Sequence, residues 1–446
     1  MDSHSGPNVI FMHSHNTGRF VQPYGHAVPA PNLQRLAREG VLFRNAFSTA
    51  PTCSPSRASF LTGMYPHRCG MLGLAHRGFA MHDYAVHIVN TLRRHGYRTI
   101  LAGVEHTAPD PTSVGYDETL STLDTNYPAL LDTPDPVEAV TSFLARPHDW
   151  PFFISLGLNA THRPFPAADP ANHPAEDPRY CQPPPTLPDT PEIRADMADF
   201  KAAVREMDDA YGEVLDAIDR NGLAESTLVC CFTDHGLQFP RHMCNLLDNG
   251  IGVYLVLRGP GGFTGGRVVE QLVSLLDLAP TIYDVTGIEI PPYVQGASLC
   301  SLISAASTPI HTEIFAESNY HAAYEPMRCI RTSRYKYIRR FDHRESLVLP
   351  NVDDDVIKRF LLDKGWQRLS RDQELLYDLV FDPLETNNQA GNPVLADVLA
   401  DLRQRLDSWM QRTNDPLAIG EQVPAPAGAY ANNPDDASPN DPLIPA

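Results

Sequence analysis

The chain is organised around the stretch Pro51-Thr52-Cys53-Ser54-Pro55-Ser56-Arg57-Ala58-Ser59-Phe60-Leu61-Thr62-Gly63. Small turn-forming residues lead here into an apolar helical run that Gly63 ends. Cys53 falls at the start of that helix, where free N–H groups and a partial positive charge suit an anion or a charged nucleophile. Arg57 follows one turn later on the same face, and its guanidinium can fork onto a tetrahedral oxyanion. The stretch therefore predicts a site for a tetrahedral anion.

The composition and net charge limit the classes of partner that we expect for the protein. The chain has 446 residues, of which 42% are hydrophobic and 20% charged, as in ordinary globular proteins. The formal net charge of -19 argues against nucleic acid and against an anionic membrane surface as partners. An anionic substrate would therefore need a local basic pocket. The eight cysteines are scattered without a CxxC pair, which indicates neither a disulfide framework nor a zinc knuckle.

The sequence carries no recognisable membrane or export signal. No apolar run reaches the length of a transmembrane helix, so we expect no membrane association. Residues 1–5 lack the basic start of a secretory leader, and no apolar core follows them, so the default expectation is a cytoplasmic protein. A homo-oligomer is compatible with the composition.

Short apolar strands alternate with amphipathic helices over the first two thirds of the chain. The pattern predicts an α/β fold with a large layered sheet, because the strands lack polar alternation and are expected to be buried on both faces. The predicted strands are Asn8–Met12, Val41–Phe43, Thr99–Ala102, Pro151–Leu158, Thr227–Phe232 and Val253–Leu257. The predicted helices include Pro31–Glu39, Pro191–Asn221 and Val269–Thr286.

The pattern changes after about residue 310. Three short stretches there, Met327–Thr332, Tyr335–Arg339 and Glu374–Leu379, are typical of hairpin strands, and Val394–Thr413 is an amphipathic helix. We therefore expect a catalytic domain over residues 1–310 and a C-terminal antiparallel-sheet subdomain over residues 311–446. The subdomain ends in a Pro-rich tail from Pro424, expected to be loose or wrapped around the fold.

Polar side chains of ligand type follow four of the predicted strands. They are His15 with Asn16, His106, His162, and Asp234 with His235. Each histidine alone is more often a satisfied structural residue. Open α/β sheets, however, place their sites at the carboxyl ends of strands, so the four positions together predict one site.

The Cys53 stretch resembles the signature of the type I sulfatases, Cys-x-Pro-Ser-Arg followed by Leu-Thr-Gly. Further similarities extend over nearly the whole chain, and they include Thr233-Asp234-His235-Gly236 and Glu374-Leu375-Leu376-Tyr377-Asp378-Leu379. Within the family the chain is most similar to the heparan N-sulfatase (sulfamidase) branch. The resemblance implies an alkaline-phosphatase-like large mixed sheet flanked by helices, with a smaller α+β subdomain.

The resemblance also implies a mechanism and its residues. Cys53 would be converted to formylglycine by a formylglycine-generating enzyme, and the hydrated aldehyde would attack sulfur with the help of one divalent metal. Arg57 would hold the formylglycine, His162 would protonate the leaving group, and His106 would act as base. The metal ligands would be His15, Asn16, Asp234 and His235, and the substrate a small sulfated anion, such as a sulfated sugar.

The chain departs from the family pattern in three places, one of which is a pair of residues. His15-Asn16 replaces a pair of aspartates, and Val104 and Met243 stand where the family has lysines. With Asp234 as the one carboxylate, the site is poor for Ca²⁺, whereas its imidazoles favour Mn²⁺ or Zn²⁺; Mg²⁺ stays in the candidate set. The lost lysine charges leave four candidate residues for substrate binding, namely Arg19, Arg241, His242 and His321.

Two other functions stay open at this point. One is a phosphodiesterase, phosphonate hydrolase or group transferase on the same fold, since an Asp-His pair resembles that of phosphonate monoester hydrolases. The other is a catalytically impaired relative that only binds an anion, as the changes at Asn16, Val104 and Met243 suggest. The intact Cys53-to-Arg57 signature favours the sulfatase interpretation.

Overall fold

A nine-stranded mixed sheet forms the centre of the protein in the computed structural model, which describes residues 6–122, 134–303, 308–420 and 422–446. Residues 1–5, on which the expectation about a leader rests, lie outside the described residues. The strand order is β4-β3-β5-β1-β6-β8-β2-β7, with β9 paired to β2. The strands are β1 Asn8–Ser14, β2 Val41–Phe47, β3 Arg98–Gly103, β4 Glu118–Ser121, β5 Phe152–Gly157, β6 Thr227–Thr233, β7 Gly252–Val253, β8 Leu255–Arg258 and β9 Arg267–Ser274.

Helices cover both faces of this sheet, as the apolar runs of its strands predict. Along β1, Ile10 and Met12 belong to one core, while Val9 and Phe11 belong to the opposite one. The first core includes residues of α1, α5 and α6, and the second includes residues of α2, α4 and α8. The helices are α1 Pro31–Glu39, α2 Cys53–Thr62, α3 Pro66–Cys69, α4 Ile88–Arg94, α5 Pro136–Leu144, α6 Pro191–Arg220, α7 Asp248–Ile251, α8 Leu278–Thr286, α9 Val356–Asp363 and α10 Ala396–Arg412.

The strand directions bring the polar strand ends to one edge of the sheet. Strands β3, β5, β1 and β6 are mutually parallel neighbours. Strand β2 runs the same way, since it is antiparallel to β8, which is itself antiparallel to β6. The carboxyl ends of all five strands therefore meet on one side, where α2 also begins.

A four-stranded antiparallel sheet forms the C-terminal part, and with it the predicted fold class is confirmed. Its strands are β10 Glu313–Tyr320, β11 Tyr324–Thr332, β12 Tyr335–Arg340 and β13 Glu374–Asp378. Helix α10 packs on it, with Trp409 stacked on Phe315 at 4.9 Å between ring centroids. The sequence did not indicate β10. None of the helices among the described residues is both long and apolar enough to cross a membrane.

The C-terminal tail is ordered against the rest of the chain. Strands β14 (Tyr430–Asn432) and β15 (Leu443–Pro445) form a small hairpin. The Asn432 N–H donates to the Ala322 carbonyl at 2.7 Å, and the Arg77 guanidinium donates to Asn432 Oδ1 at 2.9 Å. The tail therefore wraps around the fold.

The predicted helix over Val269–Thr286 is wrong in its first part. Residues 269–274 belong to β9, which pairs in parallel with β2, and the helix begins at Leu278. The apolar residues Val269, Leu272 and Val273 have helical spacing in the sequence. Backbone pairing with the edge of the large sheet and the two adjacent β-branched valines at 268 and 269 favour the strand instead.

Candidate active site

Cys53 is the first residue of α2 and lies at the edge where the strands end. Its side chain is buried, and Sγ is 3.3 Å from His235 Nε2 and 3.9 Å from Asn16 Oδ1. The helix is tied to the end of β6, because Ser56 Oγ donates to the Asp234 carbonyl at 2.6 Å. Burial, and then the nearby Asp234 carboxylate, raise the pKa of the Cys53 thiol well above its usual range. The unmodified residue is therefore a neutral thiol rather than a nucleophilic thiolate.

The hydrogen bonds of His235 decide which ring nitrogen faces Cys53. Nδ1 lies 3.1 Å from the Gly236 carbonyl, which only accepts, so Nδ1 carries the proton. Burial lowers the pKa of His235 and keeps the ring neutral. The lone pair of Nε2 therefore points at Cys53 Sγ. This is the arrangement of a metal-ligating histidine whose other nitrogen is fixed by a carbonyl.

Asp234 is buried and bonded from three sides. Its Oδ1 accepts the backbone N–H groups of Asn16 and His235, at 2.9 and 3.0 Å. Its Oδ2 receives Arg57 Nε at 3.1 Å and lies 3.4 Å from His15 Nε2. Burial alone would raise the pKa of Asp234, but His235 and Arg57 hold it below its ordinary value. The group is therefore an ionised carboxylate with a fixed orientation.

His15 is the side chain whose polar atoms lack a protein partner at this site. Its ring is 3% exposed, and within the described parts of the chain neither nitrogen makes a hydrogen bond. Burial, and then Arg57, lower its pKa well below the usual range, so the ring is neutral. An unprotonated buried nitrogen without a hydrogen-bond donor is able to bind a cation. Ligand atoms from His15, Cys53, Asp234 and His235 all lie within 4.8 Å of one another.

These four residues form a donor set that fits a first-row transition metal better than a hard cation. Two neutral imidazoles and one carboxylate suit Zn²⁺ or Mn²⁺, whereas Ca²⁺ prefers several charged oxygens. The Asn16 amide oxygen adds a neutral donor beside Cys53. The Asn16 backbone has φ 66°, a left-handed conformation that asparagine and aspartate tolerate better than most residues.

His106 and His162 both lie next to His15. Their ring centroids are 6.0 and 4.7 Å from that of His15. His162 Nδ1 donates to the Arg163 carbonyl at 2.6 Å, which leaves Nε2 as the nitrogen that can exchange a proton with a ligand. His106 Nε2 is 3.1 Å from His76 Nδ1, and its buried Nδ1 has no hydrogen-bond partner among the described residues. Burial, and then His76, lower the pKa of His106, as suits a neutral base.

A cavity of about 210 Å³ opens over Cys53. Four of the predicted residues line it in addition to Cys53: His15, His106, His162 and His321. Val104 and Met243 also line it, at the positions where the resemblance implies lysines. The wall is thus rich in imidazoles. Arg57 does not line the cavity and lies buried behind Asp234.

Three predicted substrate-binding residues, Arg19, Arg241 and His242, do not line this cavity. The Arg19 guanidinium lies over the Phe47 ring at 4.2 Å and donates to the Ala46 carbonyl at 2.7 Å. Arg241 is exposed and its guanidinium donates to the Thr186 carbonyl at 3.4 Å, while His242 is buried with Nε2 at 3.0 Å from Thr186 Oγ1. Each of the three has a structural role away from Cys53.

Five other polar residues of the lining are absent from the sequence prediction: His76, Arg77, Asn159, Gln238 and Asp353. His76 and Arg77 lie downstream of the Cys53 stretch, after the short helix α3. Gln238 comes two residues after Gly236. Asp353 belongs to the C-terminal part, and no local pattern connects it with Cys53.

Comparison with known proteins places these residues in a family context. The family model of Sulfatase matches residues 7–288. A second family model, N-sulphoglucosamine sulphohydrolase, C-terminal, matches residues 234–364. The first match covers the strand ends, Cys53 and Arg57, and the second covers Asp234, His235 and Asp353.

Individual relatives agree with this family match. The chain is 29% identical to the N-sulphoglucosamine sulphohydrolase of Homo sapiens, over 87% of each chain. It is 28% identical to an ulvan-active sulfatase of Formosa agariphila, over 96% of this chain and 77% of the relative. A solved protein in complex with its substrate D-glucosamine-2-N,6-O-disulfate superposes with a TM-score of 0.71 at 19% identity, over 94% of this chain and 99% of the other. The last likeness concerns the fold alone.

Proposed function

The chain belongs to the sulfatase family, and from this premise we propose that it works with a formylglycine made from Cys53 and one divalent cation. It is a hydrolase of sulfuric esters or sulfamates. The position of Cys53 carries the proposal. It begins a helix at the floor of a histidine-lined cavity, with His235 Nε2 at 3.3 Å and Arg57 one turn further on.

The cation would be held by His15, Asp234 and His235, with the residue at position 53 completing the set. The orphaned nitrogens of His15 and the fixed lone pair of His235 support this assignment. When present, formylglycine and the cation supply a hydroxyl nucleophile and Lewis-acid polarisation of the sulfate group. We propose Zn²⁺ or Mn²⁺, since Asp234 contributes the one carboxylate among these ligands.

Arg57 orients the Asp234 carboxylate and does not itself line the cavity. Its Nε and Nη2 are both 3.1 Å from Asp234 Oδ2, and its Nη1 donates to the Val104 carbonyl at 3.2 Å. Both partners of the ion pair are fully buried. Arg57 therefore fixes the carboxylate in one orientation and compensates its charge inside the protein.

Two histidines would move the protons. His162 is held through Nδ1 by the Arg163 carbonyl, so in its imidazolium form it would present the Nε2 proton to the leaving oxygen or nitrogen of the substrate. His106 has a buried nitrogen without a hydrogen-bond partner among the described residues, and it would accept the proton released when sulfate departs. His76 would act as a positioning residue for His106, because their 3.1 Å contact fixes the ring.

The proposal is tested by the chemical state of position 53. The protein is produced together with a formylglycine-generating enzyme, and the peptide that contains Cys53 is analysed by mass spectrometry. We expect an aldehyde in place of the –CH₂–SH group and release of sulfate from para-nitrophenyl sulfate. Cys69→Ala, which changes another buried cysteine, is the matched control and should leave both results unchanged. Turnover of a phosphonate or phosphate ester without turnover of any sulfate ester would favour the alternative hydrolase.

A further inference from the structure

A second, larger cavity opens directly beside the catalytic one. Its volume is about 1040 Å³, and we call it the vestibule. The two cavities have five lining residues in common: Arg77, His162, Gln238, Asp353 and Pro439. A substrate whose sulfate lies over Cys53 therefore places its organic part in the vestibule.

The vestibule has an acidic wall. Six carboxylates line it, against the two arginines Arg77 and Arg163. The six are Glu192, Asp196, Asp199, Asp353, Asp354 and Asp355. They come from the first turns of α6 and from the loop before α9, two elements that pack against each other. Such a wall repels a second sulfate or carboxylate group and attracts a cation.

Half of these carboxylates have a basic partner, and half do not. Arg163 forks onto Asp196, and Lys358 Nζ donates to Asp354 at 2.7 Å. Asp355 lies 3.2 Å from the same Arg163. Within the described parts of the chain, no lysine, arginine or histidine lies within ion-pair distance of the other three, which are Glu192, Asp199 and Asp353.

One buried carboxylate oxygen of the vestibule wall points to a missing ligand. The Asp355 side chain is 4% exposed, and its Oδ2 accepts no hydrogen bond from the described residues. Asp355 Oδ1 caps α9 by accepting the Lys358 backbone N–H at 2.6 Å, and Oδ2 lies 3.2 Å from Arg163, whose two terminal nitrogens are already bonded to Asp196. Burial raises the pKa of Asp355 to about 6, which is consistent with a carboxylate that lacks a full complement of donors.

Asp353 is held at the junction of the two cavities by a hydrogen-bond chain. Gln238 Nε2 donates to Asp353 Oδ2 at 2.5 Å, and Gln238 Oε1 accepts from Asn16 Nδ2 at 3.0 Å. Asn16 in turn lies beside Cys53. The carboxylate is therefore fixed relative to the position where sulfur reacts, as a specificity-determining group must be.

We propose that the vestibule binds a protonated amine, so that the substrate is a small zwitterion. Its sulfate lies over Cys53 and its ammonium group lies against Asp353 and Asp355. This inference rests on the proposed function and names the substrate class of the same site. It excludes polyanionic chains as preferred substrates, because each further sulfate or carboxylate would meet the acidic wall.

The proposal is tested with inert sulfonate analogues, whose binding does not depend on hydrolysis. Three benzenesulfonates carry an aminomethyl, a hydroxymethyl or a carboxymethyl group in the para position, and their affinities are measured by calorimetry at low ionic strength. We expect the ammonium compound to bind about tenfold more tightly than the alcohol, and the carboxylate to bind most weakly. The absence of this order, including failure of all three to bind, would overturn the proposal.

Variants that each remove one negative charge show which carboxylates cause the preference for the ammonium compound. Asp353→Asn keeps the shape of the side chain and should reduce the preference to about threefold or less. Glu192→Gln removes a charge at an exposed position of the same wall. It tests the same loss of preference without disturbing buried contacts. Asp209→Asn removes the same charge from an exposed part of α6 outside the vestibule and should leave the preference unchanged. An equal loss of preference in Asp209→Asn would contradict the proposal.

Hydrolysis of the corresponding phenyl sulfates separates this inference from the proposed function. If the aminomethyl ester is not preferred although all three esters are hydrolysed, the vestibule proposal fails and the sulfatase function stands. If the ammonium sulfonate binds selectively but no ester is hydrolysed, the vestibule proposal stands and the proposed function fails.

Discussion

The guanidinium of Arg57 lies against the carboxylate of Asp234, with Nε and Nη2 both 3.1 Å from Oδ2. Neither side chain is exposed to water. The pair joins the first turns of α2 to the end of β6, and so it holds Cys53 next to His235. Because the charges compensate each other inside the protein, loss of one partner leaves the other buried and uncompensated.

Arg57→Gln should therefore reduce the free energy of unfolding by about 3–5 kcal/mol in denaturant titrations. The variant should also bind a divalent cation differently, because Asp234 loses its fixed orientation. The matched control is Arg328→Gln, which breaks another fully buried arginine pair, with Asp415 in the C-terminal part. It should lose stability but keep cation affinity. Wild-type stability of Arg57→Gln would contradict the structural role of the pair.

Cation selectivity follows from the donor set around His15. The protein should bind Zn²⁺ and Mn²⁺ more tightly than Ca²⁺, as measured by calorimetry with the cation-free protein. Asn16→Asp adds a charged oxygen beside Cys53 and should strengthen Ca²⁺ binding by about tenfold or more. Asn387→Asp, at an exposed position, is the control for the added charge. Tight Ca²⁺ binding by the wild type, unchanged in Asn16→Asp, would show that the ligands are assigned wrongly.

His162 should matter most when the leaving group is poor. His162→Ala should slow hydrolysis of an alkyl sulfate by about a hundredfold or more, since such a leaving group needs a proton. The loss should be much smaller for para-nitrophenyl sulfate, whose leaving oxygen departs unprotonated. Steady-state rates for both esters measure the difference. Equal slowing of the two esters would remove His162 from the role of general acid.

Buried neutral histidines predict sensitivity to acid. Burial, and then Arg241, lower the pKa of His242 to about 3, whereas the residue has its ordinary value near 6.5 when unfolded. Below about pH 6.5 the unfolded chain binds a proton that the folded chain does not, so stability falls as the pH falls toward 3. Above that range the group contributes no pH dependence.

His242→Gln should accordingly flatten the plot of unfolding free energy against pH between about pH 6 and pH 4, by at most one proton's slope. The same substitution at the exposed residue His95 is the control. A slope for His242→Gln as steep as that of the wild type would mean that His242 is protonated in the folded protein.

Much of the fold followed from local patterns. The uninterrupted apolar run of β1 predicted a strand buried on both faces, and the polar residues after it predicted the edge that carries the site. The spacing of apolar residues in α6 predicted a long helix, which spans Pro191–Arg220. These elements are predictable because the burial pattern of each one can be read from the order of apolar residues within the segment itself.

Features that depend on distant pairing were not predictable in this way. Residues 269–274 have the spacing of a helix but add a strand to β2, and nothing within the segment records that neighbour. Asp353 comes near Cys53 because the C-terminal part folds over the edge of the large sheet. Arg19 and Arg241 had suitable charge, but neither lines the cavity over Cys53. Arg19 packs over the Phe47 ring, and Arg241 donates to the Thr186 carbonyl.

The central claim is that Cys53 is the precursor of the nucleophile in a sulfuric ester hydrolase. The most direct measurement is the rate of sulfate release by protein produced together with a formylglycine-generating enzyme, compared between the wild type and Cys53→Ala at equal cation loading. We predict that the wild type turns over para-nitrophenyl sulfate and that Cys53→Ala is folded, by circular dichroism, yet inactive. Undiminished sulfate release by Cys53→Ala would contradict the account.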